Sequence, residues 1–311
     1  MSKQPFFYGG QAVIEGVMIR GQRFFSLAVR KQDGSIHRSA EALGQIYTGP
    51  LRRMIFTRGI LILLETLILG FKVLTKSARI ALESEDPNEN EEPPGWTIWI
   101  SVGASVLIGV GLFFLLPLFA ARSMDSIIDG WVGAATTGDV LSNLLEGLIR
   151  LIMLVGYISL IGMMKDIKRV FAYHGAEHMT IHAYENNLPL DVDHIRPFPT
   201  AHPRCGTAFL LTVAMLSIII FAMLGRPDLQ WAIMSRVLFI PVIASISYEF
   251  IRFNGAHPGS PLTPILSAPG LLLQKLTTKR PDDDQIEVAI HAMQVALAAD
   301  NELPLNFDDK L

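Results

Sequence analysis

The chain has 311 residues and a formal net charge of -3; half of its residues are apolar and only 18% are charged. Its positive mean hydropathy of +0.37 and a charged fraction below the roughly one quarter usual for soluble chains exclude a wholly soluble protein, and the near-neutral charge points to no nucleic-acid partner. A single cysteine, Cys205, excludes an intramolecular disulfide.

In chain order, residues 1–50 read as a small cytoplasmic β element. Residues 25–29 alternate apolar and polar side chains, Asp33-Gly34 is a turn signal, and residues 35–37 resume the extended pattern, so a hairpin is expected. Residues 9–18 (GGQAVIEGVM) read as turn, strand, turn, and their glycines lack phosphate-loop or dinucleotide spacing. The first 50 residues show no apolar core with a small-residue cleavage site, so the N-terminus is expected to be retained.

Residues 51–82 read as an amphipathic helix. Arg58, Glu65, Lys72, Lys76, Arg79 and Glu83 fall within about 60° of one another at 100° per residue, a narrow polar stripe on an otherwise apolar cylinder. Such a helix lies in the membrane interface or lines a polar cavity of the protein; a fifth span is the alternative. Residues 83–95 form an acidic, Pro- and Asn-rich linker.

Residues 96–251 are expected to form the transmembrane bundle. Four apolar runs, at 96–121, 151–164 with its approach from 144, 207–224 and 231–251, compare with the roughly 20 residues needed to cross a bilayer. Arg150, Arg236 and Glu249 are the ionisable groups read within or at the ends of these spans, a sparse set for an ion pathway. With four spans, 22 of the 26 Lys and Arg fall on one side. The positive-inside rule then puts both termini and the His-rich segment 165–206 in the cytoplasm. Residues 252–311 follow as cytoplasmic helices, with a loop at 254–269 and helical periodicity over 270–278 and 282–299. The expected fold is mainly α, a polytopic membrane protein with about four spans.

Segment 165–206 carries the chemistry. Five of the eight histidines lie there, His174, His178, His182, His194 and His202, with Cys205 directly after. His174, Glu177 and His178 form an H-x-x-E-H pattern, which on a helix projects two imidazoles and a carboxylate from one face. This is the inverzincin order, in which the histidines hold zinc and the glutamate handles the proton of the attacking water. His174 and His178 stand about 6 Å apart along a helix axis and can converge on one ion, whereas His174 and His182 stand about 12 Å apart and cannot. His178 with His182 is a competing pair.

The remaining ligands must come from another segment. His202 and Cys205 rank first and Glu249 next, with Glu185, Asp191, Asp193 and His194 as local alternatives. Cys205 could equally be a small packing residue, and Glu249 could pair with Arg252. Arg204, Arg196 and Lys165 would surround the site with positive charge suited to an anionic substrate or to lipid headgroups.

At residues 9–18, 173–178 (YHGAEH), 202–207 (HPRCGT), 247–249 (SYE) and 269–281 (PGLLLQKLTTKRP), the chain resembles the YqhQ-like bacterial membrane family over nearly its whole length. The resemblance implies a multi-pass inner-membrane protein of unknown function and a metal-dependent enzyme. It directs attention to Glu15, His174, Glu177, His178, His202, Cys205 and Glu249; Met179 departs from the lysine usual in relatives. The functional expectation is a zinc-dependent hydrolase acting on a peptide or lipid amide or ester bond at the cytoplasmic face. The alternative is a non-catalytic scaffold or assembly factor with a structural metal or a hydrogen-bonded His site. A transporter is a weaker third.

Overall fold

The computed structural model describes residues 8–44, 54, 57–82, 95–132, 136–257 and 260–301; the acidic linker falls almost entirely outside them. Four strands come first, β1 (Gly9–Val13), β2 (Gly16–Arg20), β3 (Phe24–Arg30) and β4 (Ile36–Ala42), joined as an antiparallel meander in the order β1-β2-β3-β4. The hairpin expected around Asp33-Gly34 is present, with Gly34 at φ 85°. Residues 9–18, read as turn, strand, turn, are instead two paired strands closed at Ile14-Glu15. Glu15 sits at φ 51° without being a glycine, a left-handed conformation that ordinary side chains disfavour by roughly 1–2 kcal/mol. Tertiary bonds hold it: its carboxylate takes two hydrogen bonds from Arg169, at 2.6 and 2.5 Å, and its carbonyl accepts from the Arg30 N–H.

The helices are α1 (Thr57–Ala81), α2 (Gly95–Val110), a π-helical turn (Gly111–Leu115), α3 (Leu116–Arg122), α4 (Asp125–Val132), α5 (Thr136–Ile161), α6 (Lys165–Glu185), α7 (Val192–Ile195), α8 (Gly206–Met223), α9 (Leu229–Ala256), α10 (Leu262–Thr277) and α11 (Asp283–Asp300). Among the described residues, four segments are long and apolar enough to cross a membrane: Trp99–Arg122, Gly138–Ile161, Gly206–Met223 and Leu229–Asn254. The protein is a mainly α membrane protein with a small N-terminal sheet. Residues 262–269, read as loop, are the first turns of α10. Pro264 falls in the opening turn, where its missing N–H is harmless, and Pro269 is carried inside the helix.

The polar stripe of α1 turns toward the protein. Arg58 pairs with Glu249 of α9, Glu65 with Arg20 of β2 at 2.8 Å, and Lys72 and Lys76 with Glu41 of β4. Ile60, Leu64, Leu67 and Leu74 are exposed instead. Apolar residues of α1 thus lie on two sides, outward at these four positions and against the sheet at Val73, Ile80 and Ala81. Glu249 takes Arg58 rather than Arg252, because α1 lies against α9.

The sheet is covered on both faces. Val13, Met18, Phe25, Leu27 and Val29 pack toward Val73, Ile80 and Ala81 of α1, while Val17, Ile19 and Ala28 pack with Tyr173, Ala176, Ile286, Ala289 and Met293 of α6 and α11. Burying each large side chain contributes about 1.5–3 kcal/mol. A reciprocal capping box between Asp282 and Gln285 starts α11.

Inside the bundle, α5 begins earlier than its apolar run suggested and brings in a buried carboxylate, Glu146. Arg150 donates to it at 2.7 Å, and Arg236 reaches it through two hydrogen bonds, at 2.6 and 3.2 Å. All three residues are 1–2% exposed. Arg150 also donates to Ser217 at 3.1 Å and to the Phe113 carbonyl, inside the π-helical turn, at 2.8 Å. Both guanidiniums lie over Phe221, at 4.4 and 5.3 Å from the ring centre. The charges are therefore satisfied within the bundle, as the low dielectric of a membrane demands.

Candidate metal centre

Helix α6 carries His174 and His178 one turn apart, and their rings lie 4.4 Å from centre to centre. Each ring is fixed from behind. Nδ1 of His174 lies 2.8 Å from the Thr277 carbonyl at the end of α10, and Nδ1 of His178 lies 2.6 Å from the Thr200 carbonyl. A carbonyl only accepts, so both Nδ1 atoms carry the proton and both Nε2 atoms present a lone pair. Metal-ligating histidines are oriented by this same kind of backbone contact.

The lone pairs face Cys205, the residue that caps α8. Its sulfur lies 3.2 Å from Nε2 of His174 and also interacts with His178. One ligand atom from each of His174, His178 and Cys205 lies within 4.8 Å of the others. Two imidazole acceptors thus meet a thiol whose single proton can serve only one of them. The Thr207 N–H donates to the sulfur at 3.4 Å, and the Thr207 hydroxyl lies 3.1 Å from it. Two imidazole nitrogens and a sulfur at this spacing are a donor set that could hold a divalent metal ion.

Glu177 stands beside this group. It is 3% exposed and has one carboxylate oxygen 3.4 Å from Nε2 of His178. Burial pushes its carboxyl up from the ordinary range, opposed in part by His174, His202 and the Gly10 N–H of β1 that donates to it. A Cβ on Gly10 would come within 2.8 Å of the Glu177 side chain, so the approach of strand to carboxylate requires glycine. Gly175 has a similar role: a Cβ there would lie 2.2 Å from the Lys279 carbonyl, just after α10. Burial pushes the imidazoles of His178, His182 and His202 down from their usual value.

The other expected residues occupy defined positions around this group. Nε2 of His182 lies 2.9 Å from the Ala201 carbonyl, and its ring stacks on Phe198, so His178 faces His174 and Cys205 instead. His202 lies against the His178 and His182 rings, but its ring nitrogens are engaged by Glu185 at 3.4 Å and by the Arg204 N–H at 3.3 Å. Its backbone is clasped by the buried Gln274 of α10 through bonds of 2.7 and 3.0 Å. Glu185 also pairs with Arg204. Glu15 binds Arg169 and the hydroxyl of Tyr173, the residue before His174, and Glu249 is held by Arg58. Asp191 caps α7 and contacts His194, and Asp193 pairs with Arg196. Met179 is fully buried in the core.

Sequence reasoning missed Gly10, Thr200, Gln274 and Thr277, the first, second and fourth of which act through backbone atoms. It also missed Glu146, which the spacing of Glu146 and Arg150 could have revealed as an i, i+4 pair.

Comparison with known proteins agrees with the extent of this architecture. Residues 54–299 match the family described as a protein of unknown function, DUF1385. The Uncharacterized protein YqhQ of Bacillus subtilis (strain 168) is 35% identical over 319 residues, covering 97% of each chain. No solved structure matches. With the match running from α1 to the end of α11 and the relative matching from end to end, the chain belongs to the DUF1385 family.

Proposed function

We propose that the protein is a metal-dependent hydrolase of the bacterial inner membrane, with its reaction centre and both termini on the cytoplasmic side. The observation that carries this reading is the convergence of the His174, His178 and Cys205 donor atoms beside the buried Glu177 carboxylate. A divalent ion held there would supply Lewis acidity, polarising a carbonyl and lowering the pKa of water.

The remaining work belongs to the chain. Thr277 and Thr200 hold the two imidazoles in the ligating tautomer. Glu177, held by the Gly10 N–H, takes the proton of a water whose oxygen adds to the substrate carbonyl, then passes it to the leaving nitrogen or oxygen as that bond breaks. The substrate bond is an amide or ester of a peptide or lipid at the bilayer surface, because Cys205 marks the start of a span-length helix. The cytoplasmic assignment is supported by the segregation of 22 of 26 basic residues.

The test is the metal content of the purified full-length protein beside His174→Ala, His178→Ala, Cys205→Ser and Glu177→Gln. The first three are expected to lose the metal, and Glu177→Gln to keep it. Equal content in wild type and ligand variants, or none in any, refutes the reading. Metal that also depends on His202, giving a fourth protein ligand, would turn the site into a structural one and favour a scaffold role.

A further inference from the structure

Strand β1 is an edge of the sheet, and which of its backbone groups point outward can be worked out. The Gly21 N–H bonds to the Phe24 carbonyl and the Arg30 N–H to the Glu15 carbonyl, so in β2 the odd-numbered residues turn toward β3. Gly16, Met18 and Arg20 therefore turn toward β1 and pair with Val13, Gln11 and Gly9. Gly10 and Ala12 are left to direct N–H and C=O away from the sheet.

The Gly10 N–H goes to Glu177. Among the described residues, the Gly10 carbonyl and both backbone groups of Ala12 have no hydrogen-bond partner, and Gly9 and Gly10 are exposed. Among the described residues, three backbone groups at strand spacing, on exposed Gly10 and partly exposed Ala12, thus lack a hydrogen-bond partner, starting at the residue that touches the proposed proton carrier. That is the complement of an extended polypeptide, whose own N–H and C=O groups recur at the same interval. A lipid ester or amide offers no such repeat.

We propose that the substrate is an extended polypeptide segment that adds to the free edge of β1, bonding to Ala12 and to the Gly10 carbonyl, and so lays its backbone beside the His174, His178 and Cys205 group. The bond-breaking chemistry rests on the hydrolase reading; the docking does not.

The test uses the full-length protein in lipid nanodiscs and fluorescein-labelled β-casein, a largely unstructured polypeptide, with binding read by anisotropy. Ala12→Pro removes the outward N–H and crowds the edge, while the bonds to β2 run through Gln11 and Val13; proline is tolerated at such edge positions. Binding is expected to weaken by about tenfold, as loss of one or two hydrogen bonds implies. In parallel, casein should slow hydrogen exchange of the β1 amides in the wild-type protein, a readout that stands even where the variant fails to fold.

Equal casein binding by a folded Ala12→Pro protein, no binding by wild type, or unchanged β1 exchange each overturns the proposal. Casein docking that depends on Ala12 in a protein without metal would leave the docking edge standing and remove the hydrolase. Bound metal without β1 protection would do the reverse.

Discussion

Replacing Glu146 by Gln keeps the shape of the side chain but removes the one carboxylate between two buried guanidiniums. Unit charges about 4 Å apart at an effective dielectric near 20 attract by about 4 kcal/mol, and Glu146 makes such a contact with both Arg150 and Arg236. Desolvation offsets much of that attraction in the intact cluster. Removing the shared partner leaves the desolvation in place, so the loss is set by two unpaired cations and is expected at about 3–5 kcal/mol. SDS-titration unfolding in mixed micelles reads this directly. The triple variant Glu146→Leu, Arg150→Met, Arg236→Met removes every charge and should regain most of the loss. It would still fall short by about 1–3 kcal/mol, because the Phe113 carbonyl of the π-helical turn loses its donor. A Glu146→Gln protein within about 0.5 kcal/mol of wild type, or a triple variant less stable than the single one, would refute the charge argument.

Gly175→Ala should destabilise the protein by about 1–3 kcal/mol, since the new Cβ meets the Lys279 carbonyl. By pushing α6 from α10 it should also lower metal content, which a purely local strain would leave intact. The Arg169 hydrogen bonds, followed by partly opposing burial, hold the Glu15 carboxyl below its ordinary value. A carboxyl depressed in the folded state contributes stability above its unfolded pKa, about 4.3, and loses it as pH falls through the folded value. With the Arg169 side chain 52% exposed, solvent screening limits that contribution to about 1 kcal/mol or less. Arg169→Gln should therefore flatten the acid limb of a stability-against-pH curve below about pH 4.3 and leave stability at pH 8 nearly as Arg169 allows for an exposed pair, within about 1 kcal/mol. An unchanged acid limb would count against the Glu15 latch.

Hydrophobic run length made the four span-length segments legible from sequence, because the bilayer penalises every exposed polar group and so writes its thickness into the chain. Helical spacing alone likewise placed His174, Glu177 and His178 on one face, since i, i+3 and i+4 are neighbours on any helix. Residues brought together across long separations left no such trace. Cys205 and His202 both follow α6 within one short stretch of sequence, and only packing decided that the sulfur meets the two imidazoles while His202 is taken by Glu185 and the Arg204 backbone. Thr200, Thr277 and Gly10 work through main-chain atoms that every residue possesses, so no side-chain pattern could announce them. The stripe on α1 was visible, but its direction was not: periodicity defines a face, and the neighbours Glu249, Arg20 and Glu41 determine where that face points.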